Sequence, residues 1–300
     1  MLQRRKIPVL LSALLFSYAA QAAKLAIVID DVGYRPAEEN KVLQMPQAIS
    51  VAVLPNAPHA REMATKAHQS GHEVLIHLPM APLSKQPLEK DTLTPEMSSE
   101  EVTRIMRNAV NNVPYAVGLN NHMGSRMTSS LPGMQKVMQA LNHYNLYFLD
   151  SMTIANSQAI PAAQGTQVKV LKRRVFLDDI QDINAIRQQF SQAVKLAQRD
   201  GYAIAIGHPH PTTVRVLQQM LPTLPADITL VRPSQLLNES LRNSPRMPVA
   251  PAKPVTPRFQ PAGLCKAKQP LAPVPATRAL TVIAESVNHS PLFNTLKNLF

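Results

Sequence analysis

Leu25-Ala26-Ile27-Val28-Ile29-Asp30-Asp31-Val32-Gly33-Tyr34 is the stretch on which the fold reading turns. An apolar run without polar alternation reads as a strand buried on both faces, as in a parallel sheet. It runs into two adjacent carboxylates and a glycine turn, where open α/β sheets and barrels keep their reactive groups. Neighbouring residues at a strand end point in different directions, so one carboxylate can bind a metal while the other handles a proton. The plainer alternative is an Asp pair that caps the following turn.

Outward from this strand, apolar runs recur at Ala48–Val53, Glu73–Leu78, Tyr115–Leu119, Leu146–Leu149, Val168–Leu171, Tyr202–Ile206 and Ile228–Val231. Helical spacing falls between several of them, at Ala57–Gln69, Glu100–Asn111, Leu131–His143 and Ile183–Arg199. Ser98-Ser99-Glu100-Glu101 reads as a capping box, and Gly71 sits at a C-cap position. This alternation predicts parallel βαβ units. Pro79–Pro95 and Asn156–Gln167 are expected to be loops.

The flanks differ from this core. Arg4, Arg5 and Lys6 precede an apolar stretch, Ile7–Ala20, and a small-x-small site at Ala20-Gln21-Ala22. Residues 1–22 thus read as a cleaved signal peptide, with an apolar stretch shorter than the roughly 20 residues of a membrane span. A periplasmic location and no stable span in the mature chain follow. Residues 239–300 are expected to be a disordered tail: residues 241–300 hold ten of the 27 prolines and eight Lys/Arg against Glu285 alone. Of the net charge of +12, this tail carries +7 and residues 1–23 carry +3, leaving +2 for residues 24–240. A nearly neutral domain argues against a nucleic-acid partner, and the basic tail points to an envelope partner. The lone cysteine, Cys265, lies in the tail, so the domain contains no disulfide.

Within the domain, other strand ends also carry polar groups. His77 closes Val74-Leu75-Ile76-His77-Leu78-Pro79-Met80; a lone histidine there is more often structural than a ligand, and His72 at the other end reads as structural. Gly118-Leu119-Asn120-Asn121-His122-Met123-Gly124-Ser125-Arg126 is dense in donors and acceptors. There His122 is a ligand candidate, Asn121 its supporting partner and substrate contact, and Arg126 an anchor for substrate or carboxylate. Phe148-Leu149-Asp150-Ser151 and Ile204-Ala205-Ile206-Gly207-His208-Pro209-His210 repeat the pattern, with His210 equally readable as a solvated loop residue. Acids and histidines gathered at strand C-termini point to one site.

Taken in order, these motifs resemble the polysaccharide deacetylase (NodB-like) superfamily. Ile29-Asp30-Asp31-Val32-Gly33 looks like its opening Asp-Asp pair, Gly71-His72-Glu73-Val74 with His77 like its histidine motif, and Ile206-Gly207-His208 like its closing motif. Ala81 stands where a second histidine is usual, and the chain has no tryptophan. His-Leu-Pro-Met, Asn-Asn-His-Met-Gly-Ser and Ile-Gly-His-Pro are specifically similar to the divergent polysaccharide deacetylase family. The resemblance covers residues 24–238 and implies a distorted (β/α) barrel of about seven parallel strands. It implies a divalent metal, zinc first, on Asp31, His77 and His122, the last replacing the missing histidine. Asp30 is then the general base and His208 the general acid, with Asp150 orienting His208 and a backbone N–H near Tyr34 helping at the oxyanion. The implied activity is deacetylation of an acetylated sugar or polysaccharide of the cell envelope. The alternative is a glycan-binding or envelope-assembly protein that keeps the fold and has altered its chemistry.

Overall fold

In the computed structural model, residues 22–242 are described. The expected signal segment, apart from its last residue, and the expected tail from residue 243 onward lie outside the described residues.

Strand–helix alternation holds throughout: β1 (Ala23–Val32), α1 (Pro36–Val42), β2 (Ser50–Val53), α2 (Ala60–Gln69), β3 (Val74–Met80), α3 (Ser99–Asn112), β4 (Ala116–Met123), α4 (Ser125–Thr128), α5 (Leu131–Leu141), β5 (Tyr147–Asp150), α6 (Ala159–Ala162), β6 (Val170–Lys172), β7 (Val175–Phe176), α7 (Ile183–Asp200), β8 (Tyr202–Gly207), α8 (Pro211–Met220) and β9 (Ile228–Leu230). All pairings are parallel, in the order β6-β5-β4-β3-β2-β1-β8-β7, with β9 joining the start of β1. Among the described residues no pairing joins β6 to β7, so the barrel is open at one seam, bridged by Arg173 and Arg174. Nine strands stand where the resemblance implied about seven: eight correspond to the apolar runs, β9 among them, and the ninth, β7, is two residues long and too short to show as one.

Side-chain alternation separates two cores. Leu25, Ile27 and Ile29 pack outward with helix residues such as Met63, Ile105, Val137 and Phe190. Ala26 and Val28 belong to a smaller cluster with Ala52, Leu75, Leu149, Ile204 and Ile206, which contains no α-helical residue and fills the barrel. Val231 and Leu236, just after β9, complete this cluster at the N-terminal end of the strands.

Local signals account for several helix ends. Ser98 Oγ accepts from Glu101 N at 3.2 Å, and Asp182 Oδ1 accepts from Asn184 N and Ala185 N at 2.8 and 3.0 Å. Gly71, with φ 85°, closes α2 as its position predicts. The expected loop around Pro79–Pro95 is held at both ends, since Ala81 N donates to Leu93 O at 2.8 Å and Leu93 N to Pro79 O at 2.9 Å.

The functionally important departure from the sequence reading is strand length. β4 does not stop at Leu119 but pairs with β3 through Asn120, Asn121, His122 and Met123, with His77 opposite Asn120 and Pro79 opposite His122. The apolar run ends where the strand leaves the hydrophobic core, and backbone pairing continues into the polar rim.

Candidate metal centre and active site

Counting by twos along each strand locates the site. Ala26 and Val28 point into the barrel, so Asp30 does too; Leu75 places His77 inside, and Ile204 and Ile206 place His208 inside. On the extended β4, Asn120 and His122 share a face. These side chains form a polar cap above the apolar barrel filling.

Asp31 departs from this alternation. A register shift lies between Ile29 and Val32, and Asp31 takes φ 57°, a left-handed conformation unfavourable for a residue with a Cβ. The turn is held by a buried carboxylate: Glu39, 1 % exposed, accepts at one oxygen from the backbone N–H groups of Gly33, Tyr34 and Arg35 at 2.9, 3.0 and 2.6 Å. Those amides are thereby spent, so the expected oxyanion donor near Tyr34 is already bonded within the protein.

Three ligand atoms converge. Asp31 Oδ1 lies 2.9 Å from His122 Nδ1 and 3.2 Å from His77 Nε2, and the two imidazole nitrogens are 3.2 Å apart. Tetrahedral zinc with bonds of about 2.0–2.1 Å separates its ligands by about 3.4 Å, so the triangle is close to one face of such a site. Asp31 Oδ1 is also buried without a properly directed hydrogen bond. An orphaned carboxylate oxygen facing two ring nitrogens fits a cation.

Asn120, fully buried, fixes the chemistry of His77. Its Nδ2 donates to Asp30 Oδ1 at 2.7 Å, so its Oδ1 faces His77 Nδ1 at 2.8 Å and accepts the proton there. The His77 lone pair is then on Nε2, the atom in the triangle. The sequence reading put weight on Asn121 instead. Asn121 Nδ2 donates to Met123 O at 2.6 Å, and its Oδ1 accepts from Ser151 N at 2.9 Å, so its amide latches β4 to the end of β5.

Asp30 and His208 flank the triangle. Asp30 Oδ2 is 3.6 Å from His77 Nε2, and His208 Nε2 is 3.8 Å from Asp31 Oδ2. Burial raises the Asp30 carboxyl above its ordinary range, against the pull of His77 and His208. Burial also works to raise Asp31, but the imidazoles of His122 and His77 outweigh it and hold Asp31 well below the usual carboxylate range. Burial lowers His208, yet its bond to Asp178 prevails and pushes it up to about 9.

The acid beside His208 is Asp178, not Asp150. Asp178 accepts at Oδ1 from His208 Nδ1 at 3.0 Å, and at Oδ2 from His208 N and Thr213 Oγ1, both at 2.7 Å. Asp150 has the strand parity of Phe148, which packs in the outer core, and its carboxylate accepts from Met152 N at 2.8 Å. Arg126 is also placed away from the centre: it is exposed and pairs with Glu96 at 2.6 Å. Tyr34 stands at the mouth, its hydroxyl donating to Glu89 at 3.0 Å.

Two openings meet at His122 and His208. A cavity of about 400 Å³ contains Asp30, His77, Arg173 and Phe176 on its walls, and one of about 180 Å³ contains Asp31, Tyr34, Glu89 and His210. Arg173 and Asp178 were missed in the sequence. Asp178 had a signal, because Val175-Phe176-Leu177-Asp178-Asp179 repeats the apolar-then-Asp-Asp pattern of β1; Arg173 had none.

At the C-terminal rim of a parallel barrel, then, an O,N,N triangle that could hold a metal ion is flanked by an acid and an imidazole. The profile of the divergent polysaccharide deacetylase family matches residues 27–237, and the chain belongs to that family. "Uncharacterized protein YibQ" of Escherichia coli (strain K12) is 65 % identical over 291 residues, 96 % of this chain and 91 % of that protein. An "Uncharacterized protein" of Haemophilus influenzae is 44 % identical over 220 residues, 73 % of this chain and 79 % of that one. The crystal structure of uncharacterized protein ATU2773 from Agrobacterium tumefaciens C58 has the same fold, with a TM-score of 0.67 at 20 % identity, over 73 % of this chain and 90 % of its own.

Proposed function

We propose that this protein is a metal-dependent deacetylase of an acetylated sugar or polysaccharide in the cell envelope, acting in the periplasm after removal of residues 1–22. The observation that carries this reading is the placement of Asp30 and His208 on either side of the Asp31–His77–His122 triangle. A divalent cation, zinc first, held by those three residues supplies polarisation of the acyl carbonyl and a more acidic water. Asp30 accepts a proton from the attacking water, and its buried position beside Asn120 holds it toward the centre. His208, protonated at neutral pH and oriented by Asp178, donates a proton to the departing nitrogen or oxygen as the acyl bond breaks. The larger cavity takes the sugar, and the basic segment beyond residue 242 recruits an envelope partner.

The test is acetate release from N-acetylated and O-acetylated oligosaccharides by the zinc-loaded protein. Asp30→Asn should cut turnover by about 10³-fold while retaining metal. Sugar binding without acetate release from either class would favour the glycan-binding alternative and contradict catalysis.

A further inference from the structure

Arg173 crosses the barrel seam between β6 and β7 with its guanidinium fixed in place. Its Nε donates to Ser151 O at 2.6 Å and one Nη to Met152 O at 2.9 Å, and its Cζ lies 5.0 Å from the centroid of the Phe176 ring. Both hydrogen-bond partners are neutral carbonyls. Among the described residues no carboxylate forms an ion pair with it, and Asp30, Asp150 and Asp179 act on it only at longer range. Holding a partly buried cation without a directly paired anion costs free energy, and among the described residues the second Nη has no hydrogen-bond partner. Arg173 is nevertheless part of the wall that contains Asp30, His77, His122 and His208.

The Phe176 ring centroid lies 5.0 Å from the Arg173 Cζ, and the His208 imidazole stands edge-on to the same ring at 5.3 Å. Arg173 and His208 thus share one aromatic neighbour and line the same cavity. A planar guanidinium held by its back edge presents its remaining N–H groups to a carboxylate or phosphate.

Resting on the deacetylase reading of this site, we propose that Arg173 selects substrates whose acylated sugar bears an anionic substituent, a carboxylate or phosphate. Arg173 is thus a specificity residue that supplies the cation while the substrate supplies its missing counter-ion. Arg126, the arginine favoured by the sequence, lines neither cavity and pairs with Glu96 at the surface.

The experiment measures binding of N-acetylglucosamine, N-acetylmuramic acid and N-acetylglucosamine 6-phosphate to the zinc-loaded full chain by calorimetry. The expected result is about tenfold tighter binding of at least one acidic sugar than of the neutral one, and which of the two it is separates carboxylate from phosphate recognition. Arg173→Gln should bring that ratio close to one, and Arg173→Lys should restore part of it. Metal content and far-ultraviolet circular dichroism verify that each variant is folded. Equal binding of all three sugars by the parent, or a ratio that survives Arg173→Gln, would overturn the inference while leaving the deacetylase reading standing. No binding of any of them would also overturn the inference, while the deacetylase reading is decided separately by acetate release from oligosaccharides.

Discussion

His72 and His77 stand at the two ends of the same strand, and their surroundings differ in kind. The His72 ring nitrogens face two backbone carbonyls, Ile49 O at 2.8 Å and Leu43 O at 3.1 Å, so the ring fastens neighbouring segments together. His77 faces a carboxamide on one side and two carboxylates and a second imidazole on the other. The same contrast holds for acids at the two ends. Glu73 accepts from Tyr147 Oη at 2.7 Å, from Ser234 N at 3.2 Å and from Ser234 Oγ, a network with its donors matched to its acceptors. Asp31 has an oxygen with no such donor. A depression of about 370 Å³ also exists at the Glu73 end, but neither a histidine nor an acid lines it. Size does not distinguish the functional end of the barrel; unmatched polar chemistry does.

This comparison breaks if changes at the two ends have similar consequences. At the rim, Asn120→Leu removes the acceptor that fixes the His77 tautomer. It should lower zinc affinity by about 10- to 100-fold, measured by competition with a chromogenic chelator. At the base, Glu73→Gln should cost about 2–3 kcal/mol in urea denaturation, because a charge-assisted network loses its anion, and should leave zinc affinity within twofold. A large loss of metal from Glu73→Gln would mean the ends are not separable.

The His208–Asp178 pair sharpens the comparison through pH. His208 is raised from 6.5 to about 9, so its contribution to stability is complete below about pH 6.5 and is lost as pH rises through about 9. Asp178 is lowered: burial opposes ionisation, but His208 and Thr213 outweigh it. Its contribution is present above about pH 3.8 and is lost as pH falls through its depressed value. In Asp178→Asn, the decline in metal-free stability on the alkaline side should therefore move to lower pH. Nuclear magnetic resonance titration of His208 should show its midpoint falling. Thr213→Val, which removes one of the bonds that lower Asp178, should raise the Asp178 value and move the acid-side loss of stability to higher pH.

How much of this was legible follows from where each signal resides. Ile27–Asp31 announced a strand ending in acids, because core burial and rim chemistry meet there within a few residues. Asn120 was legible only in principle. With the strand ended at Leu119, nothing distinguished it from Asn121; once β4 runs to Met123, the two-residue period sends Asn120 inward with His122 and Asn121 the other way. Asp150 and Asp178 were confused for a related reason. Both follow an apolar run, but Asp150 shares the outward parity of Phe148, and Asp178 follows a two-residue strand too short to recognise. Glu39 could not be read at all, since its role depends on a turn whose left-handed Asp31 no local pattern announces.

The most direct test of a cation at Asp31, His77 and His122 is the metal content of the purified chain after exposure to zinc, nickel and cobalt in turn. About one ion per chain in the parent, lost in both Asp31→Ala and His122→Ala and kept in Asp30→Asn, is the expected result. A parent that takes up none of the three ions, or an Asp31→Ala variant that binds as tightly as the parent, would contradict it.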